Sequence, residues 1–113
     1  MKIKVDHEKL VVLTRDTIYL IMFNEILYVE RFDKKTLIQT NNKEISIHIS
    51  LKKISEFLPS NFIRTHQSYI INRNFITELK SINPQIYEIN FTDDKTALVK
   101  KEYLHHILPL GTS

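Results

Sequence analysis

Residues 62–76 read FIRTHQSYIINRNFI. Two apolar runs flank a polar knot of Arg64, Thr65, His66, Gln67 and Ser68, and a second polar pair, Asn72 and Arg73, follows. The pattern is that of a β-hairpin, but a plain hairpin turns on Gly, Asn or Asp. A His, a Gln and two Arg at such a place are side chains that recognise something.

The chain on either side of this hairpin is mostly strand. Ile45, Ile47 and Ile49 alternate with Ser46, His48 and Ser50, the mark of a strand with one buried and one wet face. Ile86, Ile89 and Phe91 sit among Tyr87, Glu88 and Asn90 in a similar run. Further runs rich in β-branched and aromatic residues cover 10–13, 17–22, 26–32, 36–40, 69–71, 75–82 and 96–99. Between them lie Asp33-Lys34-Lys35, Asn41-Asn42-Lys43, Asn83-Pro84 and Asp93-Asp94-Lys95. Links this short join antiparallel neighbours and leave no room for βαβ crossovers. With Gly111 the single glycine, tight turns are expected to rely on Asn and Asp. One segment differs: Leu51, Ile54, Phe57 and Leu58 recur at helical spacing between Ser50, a good N-cap, and Pro59, a stop. A helix over about 51–58 is too short to stand alone and must lean on a sheet. A second helical turn is expected over Lys101–Ile107. Tyr28, Ile54, Leu58, Phe62, Tyr69 and Ile71 are expected in the core. The fold class is therefore all-β, antiparallel, with one short helix.

At 113 residues and 42% hydrophobic content, with no repeat or linker, residues 1–113 read as a single domain. There is no Cys, so neither disulfides nor thiolate metal sites can form. The formal charge of +3 and pI of about 9.1 lean mildly toward a polyanionic partner. The apolar run Tyr19–Phe23 is far too short to span a bilayer, and no signal peptide follows Met1. A cytoplasmic protein without membrane insertion is expected.

Catalytic constellations are missing from the pattern. The five His residues, His7, His48, His66, His105 and His106, lack metal-ligand spacing. One Gly allows neither a nucleophile elbow nor a phosphate-cradling loop. Asp93 and Asp94 read as a solvated turn. No enzyme, metal or cofactor is expected, which leaves recognition.

The stretch FNEILYVERFDKKTLIQTNNKEISIHISLKKISEFLPSNFIRTHQSYIINRNFI, residues 23–76, resembles the LytTR family of bacterial DNA-binding domains. Its Ile-x-Tyr-Ile/Val-Glu strand is matched by Ile26-Leu27-Tyr28-Val29-Glu30. Its Ser-Leu-x-x-Leu/Ile helix is matched by Ser50-Leu51-Lys52-Lys53-Ile54. Its Phe-x-Arg-x-His-x-Ser-Tyr/Phe-Ile/Val-Val/Ile-Asn motif is matched by Phe62, Arg64, His66, Ser68, Tyr69, Ile70, Ile71 and Asn72. The resemblance runs from about Phe23 to Tyr103. It implies an elongated set of antiparallel sheets whose loops, with no recognition helix, enter successive major grooves of a bent duplex, usually at direct repeats in promoters. It also implies base contacts from the Asp33-Lys34-Lys35 loop, from Gln67 directly after the motif His, and from the polar segment Lys100-Lys101-Glu102. Many members carry Ser-Arg-Arg in that last segment. Here a Glu replaces an Arg, so the third contact either shifts to Lys101 or is lost.

Side-chain chemistry agrees independently. Gln pairs bidentately with adenine in the major groove. Lys34, Lys35, Arg64, Arg73, Lys100 and Lys101 can neutralise phosphates. Each residue also has a plainer role. His66 reads first as a hydrogen bonder that orders the loop carrying Gln67. Arg64 suits a phosphate or a brace equally. Ser68 and Asn72 read as loop braces more than as contacts, and Gln67 reads as a contact. The expected partner is double-stranded promoter DNA in a transcription regulator, with a dimer on DNA allowed. Control would come from an upstream receiver domain in a longer response regulator, or from a membrane protein acting on a stand-alone chain. Two rivals stand beside it. One is a β-rich protein-interaction module that has lost DNA binding. The other is a single-strand or RNA binder, for which the aromatics, alternating into strand cores, leave few stacking platforms.

Overall fold

In the computed structural model, which describes residues 1–108 with the backbone but not the side chain of Asp93, the expected strands form antiparallel ladders. They are β1 (Lys2–Asp6), β2 (Lys9–Leu13), β3 (Ile18–Met22), β4 (Ile26–Phe32), β5 (Lys35–Thr40), β6 (Glu44–Ile47), β7 (Phe62–His66), β8 (Tyr69–Asn72), β9 (Glu78–Asn83), β10 (Ile86–Asn90) and β11 (Thr96–Lys100). Three sheets result, in the orders β1-β2-β3, β6-β5-β4-β8-β7 and β11-β10-β9. The molecule is elongated, 48 × 29 × 26 Å.

The five-stranded sheet is the middle layer. Ile26, Val29, Ile38, Ile45, Ile47 and Ile70 bury one of its faces against Leu10, Val12 and Ile21 of the first sheet and Leu51 and Ile54 of the helix. Leu27, Tyr28 and Ile71 bury the other against Ile89, Phe91, Ala97 and Val99 of the third sheet. Strict alternation would send Leu27 and Tyr28 to opposite faces. A bulge between Ile26 and Tyr28 in the β4–β5 ladder puts both on one side.

Departures from the expected elements have local causes. β1 carries one half-buried residue, Ile3, so its pattern lacks the apolar face that marks a strand. The strand expected from Phe75 begins at Glu78, because the Asn72 side chain accepts the Asn74 N–H (3.1 Å) and caps a 3-10 turn over Arg73–Phe75. The helix α1 spans Leu51–Ser55, capped by Ser50 Oγ accepting the Lys53 N–H at 3.0 Å. It stops short of residue 58. Pro59 disfavours α geometry at Leu58, and the chain tightens into i→i−3 bonds, Phe57 N–H to Ile54 O and Leu58 N–H to Ser55 O. The turn after β11 is 3-10, Lys101–His106. Of the expected core residues, Tyr28, Ile54 and Ile71 are buried, while Leu58, Phe62 and Tyr69 are half-buried and pack against the two cores.

Positive φ falls on Asp33 (47°) and Asp94 (61°), as expected of Asp, but also on His7 (57°) and Lys34 (67°), and on no Asn among the described residues. Asp33 and Lys34 form the two-residue link between Phe32 and Lys35. Positive φ at both is the signature of a type I′ turn, whose twist matches that of the strands. With no Gly available, Lys34 carries a backbone cost of about 1–2 kcal/mol.

Ile54 is fully buried between α1 and the middle sheet. Ile54→Ala is expected to cost about 2–5 kcal/mol. Urea unfolding checks this; an unchanged midpoint would show that the helix contributes no packing.

Candidate nucleic-acid interface

Register brings the polar segments to one end of the middle sheet. Glu30 pairs with Tyr69, and the Arg31 N–H donates to Ser68 O at 2.8 Å. The turn Gln67-Ser68 and the turn Asp33-Lys34 therefore open at the same end, with β4 extending further. Lys100 arrives there from β11. Arg64, His66, Gln67 and Lys100 line one shallow concavity with Tyr103 and His106 from the following 3-10 turn.

The Gln67 turn is held from several sides. Exposed Arg64 donates from Nε to His66 O (2.9 Å) and from Nη2 to Gln67 O (2.7 Å). That makes it a brace, and it leaves three of the guanidinium's five N–H donors for an anion. Thr65 is fully buried at a bulge between Arg64 and His66, and its hydroxyl donates to Leu98 O at 2.8 Å. This bond ties the hairpin to the third sheet. Half-buried His66 accepts the Ser68 N–H on Nδ1 at 3.1 Å, which assigns its proton to Nε2, and its ring meets Tyr69 edge-on at 5.9 Å. The Tyr69 hydroxyl donates to Glu30 Oε2 at 3.1 Å, and burial with the nearby Glu30 carboxylate pushes its pKa up. Burial and Glu30 also raise Tyr28, to about 12. At the centre of all these bonds, Gln67 itself is exposed at the turn.

The other expected residues divide. Lys34 and Lys35 are exposed at the β4–β5 tip, Lys101 is exposed, and Lys100 is half-buried. Ser68 is half-buried and contributes its backbone to the turn. Asn72 is corrected. It is 1% exposed, its amide nitrogen donates to Ile26 O (3.0 Å), and its oxygen accepts from Asn61 Nδ2 (2.8 Å) and Asn74 N–H (3.1 Å). A buried amide so engaged is structural and is not presented to a duplex. Arg73 is exposed beyond the other end of β8, in a neighbouring concavity that shares His106 with the first.

Three residues at this end escape a sequence reading. Thr65 acts through a bulge and a long-range bond, which no local pattern encodes. His106 reaches the concavity through the 3-10 turn. Phe32 resembles the last core residue of an apolar run, yet it is 61% exposed.

Burial first, then the Lys100 and Arg64 charges, hold the His66 imidazole below its usual range. Such a group binds fewer protons folded than unfolded, so its contribution to stability is whole above the unfolded value near 6.5 and is lost as pH falls toward the lower native value. Protonation also removes the acceptor for the Ser68 N–H. On acidification from pH 7 to 5, the melting temperature of the parent is expected to drop more than that of His66→Asn, whose side chain can accept the same N–H without titrating. Parallel thermal melts check this; equal drops would place the titration elsewhere.

With this geometry in view, the relatives are informative. Residues 16–110 match the model of the LytTr DNA-binding domain, a family of DNA-binding domains and not of enzymes. The chain is 24% identical over 100 residues to the transcriptional regulatory protein NatR of Bacillus subtilis, covering 87% of this chain and 43% of that protein. It is 27% identical over 109 residues to the sensory transduction protein LytT of Bacillus cereus, covering 96% and 44%. It thus spans less than half the length of these relatives. The solved LytTr DNA-binding domain of a methyl-accepting/DNA response regulator from Bacillus cereus superposes with a TM-score of 0.76 at 24% identity, over 89% of this chain and 94% of that one. The all-β class with little helix is the fold they share. No helix among the described residues is long and apolar enough to cross a membrane.

Proposed function

The chain belongs to the LytTr DNA-binding domain family, and from that premise we propose that residues 1–113 are one such domain, binding duplex DNA sequence-specifically through loops in the major groove to regulate transcription. The observation that carries this reading is Gln67, exposed at a turn that Arg64, Thr65 and His66 pin through four hydrogen bonds. A base-reading amide gains from such fixation, because little entropy remains to be lost on binding. Its fork suits adenine. Lys34, Lys35, Lys100 and Lys101 flank it as phosphate contacts, with the free edge of Arg64 as a fifth. His66 and Ser68 serve as loop braces, and no cofactor takes part.

Promoter DNA with direct repeats, occupied by one copy per repeat, suits a chain whose relatives are named as transcriptional regulatory and sensory transduction proteins. Control by a receiver domain or a membrane protein, and a cytoplasmic location, belong to the same proposal.

Gln67→Ala and Arg64→Ala test it by failing differently. Loss of Gln67 is expected to cost about 1–3 kcal/mol on a preferred duplex and little on a scrambled one. Loss of Arg64 is expected to weaken both duplexes alike and to lower the melting temperature, because the turn carbonyls lose their donors. For the parent, about five phosphate contacts give a slope near −4 to −5 of log K against log salt. Titrations at several salt concentrations read all three. A slope near zero would favour an interaction module without DNA binding. A Gln67→Ala variant that discriminates as the parent does would remove the reading head.

A further inference from the structure

Phe32 ends β4 immediately before the Asp33-Lys34 turn. It is the single aromatic among the large exposed hydrophobics of the described residues, at 61%. Alternation along β4 puts it on the face of Tyr28 and Glu30. Tyr28 is covered by the third sheet, but Phe32 lies past that cover. Its cross-strand partner is Lys35, itself exposed. No packing role accounts for an aromatic ring left in water at a hairpin tip, where a polar residue would close the turn as well.

Its surroundings say what it would meet. The Arg31 N–H donates to Ser68 O, so the strand that ends in Phe32 runs beside the Gln67-Ser68 turn at one strand spacing, about 4.8 Å. Successive bases along one strand of a duplex are about 3.4 Å apart. Lys34 and Lys35 follow directly and would hold the backbone on either side. Backbones this close bring the two side chains to the same stretch of duplex, within a few base pairs of each other. The one apolar group on a base edge is the 5-methyl of thymine, and it lies in the major groove, where Phe is one of the side chains that contact it.

We propose that Phe32 is the apolar half of the reading head, packing on the methyl group of a thymine within about two base pairs of the base that Gln67 reads. This rests on the DNA-binding reading and adds a specificity determinant to it. The Gln67 hairpin supplies hydrogen bonding, and the β4–β5 hairpin supplies apolar contact.

The test begins with a duplex enriched by the parent protein from a randomised pool. Each thymine in it is then replaced in turn by deoxyuridine, which removes the methyl group and keeps the base pairing. The proposal expects one position, near the one where Gln67→Ala loses discrimination, at which the replacement weakens parent binding about four-fold, the worth of one buried methyl group. Phe32→Ala is expected to bind the thymine duplex several-fold more weakly than the parent and to ignore the replacement. Phe32→Leu is expected to keep part of the sensitivity. Both variants should melt with the parent, since the side chain is exposed. Equal sensitivity in Phe32→Ala and the parent, no sensitive position, or an enriched site with no thymine there would each overturn the proposal while leaving DNA binding intact. Unstacking next to that position, reported by 2-aminopurine fluorescence in the parent complex only, would overturn it in favour of a wedge. A parent that enriches no duplex would overturn the DNA-binding reading along with it.

Discussion

The β4–β8 ladder is covered on both faces, and the rest of the molecule is arranged around that fact. Val29 pairs with Ile70 toward one core, and Tyr28 pairs with Ile71 toward the other. Ile26, Leu27, Val29, Ile70 and Ile71 are all 1% exposed or less. Burying a Val, Leu or Ile side chain contributes about 1.5–3 kcal/mol, so these few positions carry much of the packing on which all three sheets depend. The bulge at Leu27 aligns the two-sided pattern with both cores at once. A one-residue slip would send Tyr28 into the aliphatic core and Val29 into the aromatic one, so the register is strongly specified.

From that ladder the edge that carries Gln67 inherits its stiffness. Gln67 lies two residues beyond Tyr69, which pairs with Glu30 and is hydrogen-bonded to it through their side chains. The turn has no glycine and no positive φ. It is shaped instead by bonds that converge on it: the Arg64 fork on two carbonyls, the His66 ring on an amide, and the Arg31 amide on Ser68 O. At the neighbouring tip the constraint is of another kind, since Asp33 and Lys34 must both hold positive φ. Arg31 secures its base, donating with Thr36 to Ile49 O. Both tips are therefore prepared before any partner arrives, one by side-chain bonds and one by backbone geometry.

What could be read from the sequence follows from how local each cause is. Strand alternation at Ile45 and Ile47 and the Ser50 cap are short-range effects, and the strand and helix they predict are present, although the strand ends at Ile47 and leaves Ile49 outside it. The helix end at Ser55 was less legible, because tightening to i→i−3 bonds depends on how Pro59 is received. β1 was illegible, since an edge strand with one half-buried residue shows no apolar face. At the candidate site, the exposure of Gln67, Lys34, Lys35 and Lys101 agrees with their polar or charged character and their place at turns or strand ends. Asn72 reads as a brace from the sequence, but its partners, Ile26 O, Asn61 and Asn74, are fixed only by the fold. Thr65 is the extreme case. Its role is a bond to Leu98, thirty-three residues away.

Arg64 joins the two halves of this picture. Its guanidinium spends two donors on the carbonyls of His66 and Gln67 and remains exposed. A lysine there would keep the charge, but it lacks the planar fork that reaches two carbonyls in a fixed geometry. The same cation also helps keep His66 neutral, together with Lys100 and burial. A neutral His66 is what leaves Nδ1 free to accept the Ser68 amide. The positive charge of this edge thus also acts inside the protein, adding to burial, the larger cause, in favouring the imidazole form that orders the turn. An anion brought close to Arg64 and Lys100 would weaken that effect and favour the imidazolium. The turn would then lose its acceptor just as contact forms, unless the anion itself stays with the free edge of Arg64 and leaves His66 behind Gln67. The half-burial of His66 and the exposure of Arg64 and Gln67 set them in that order.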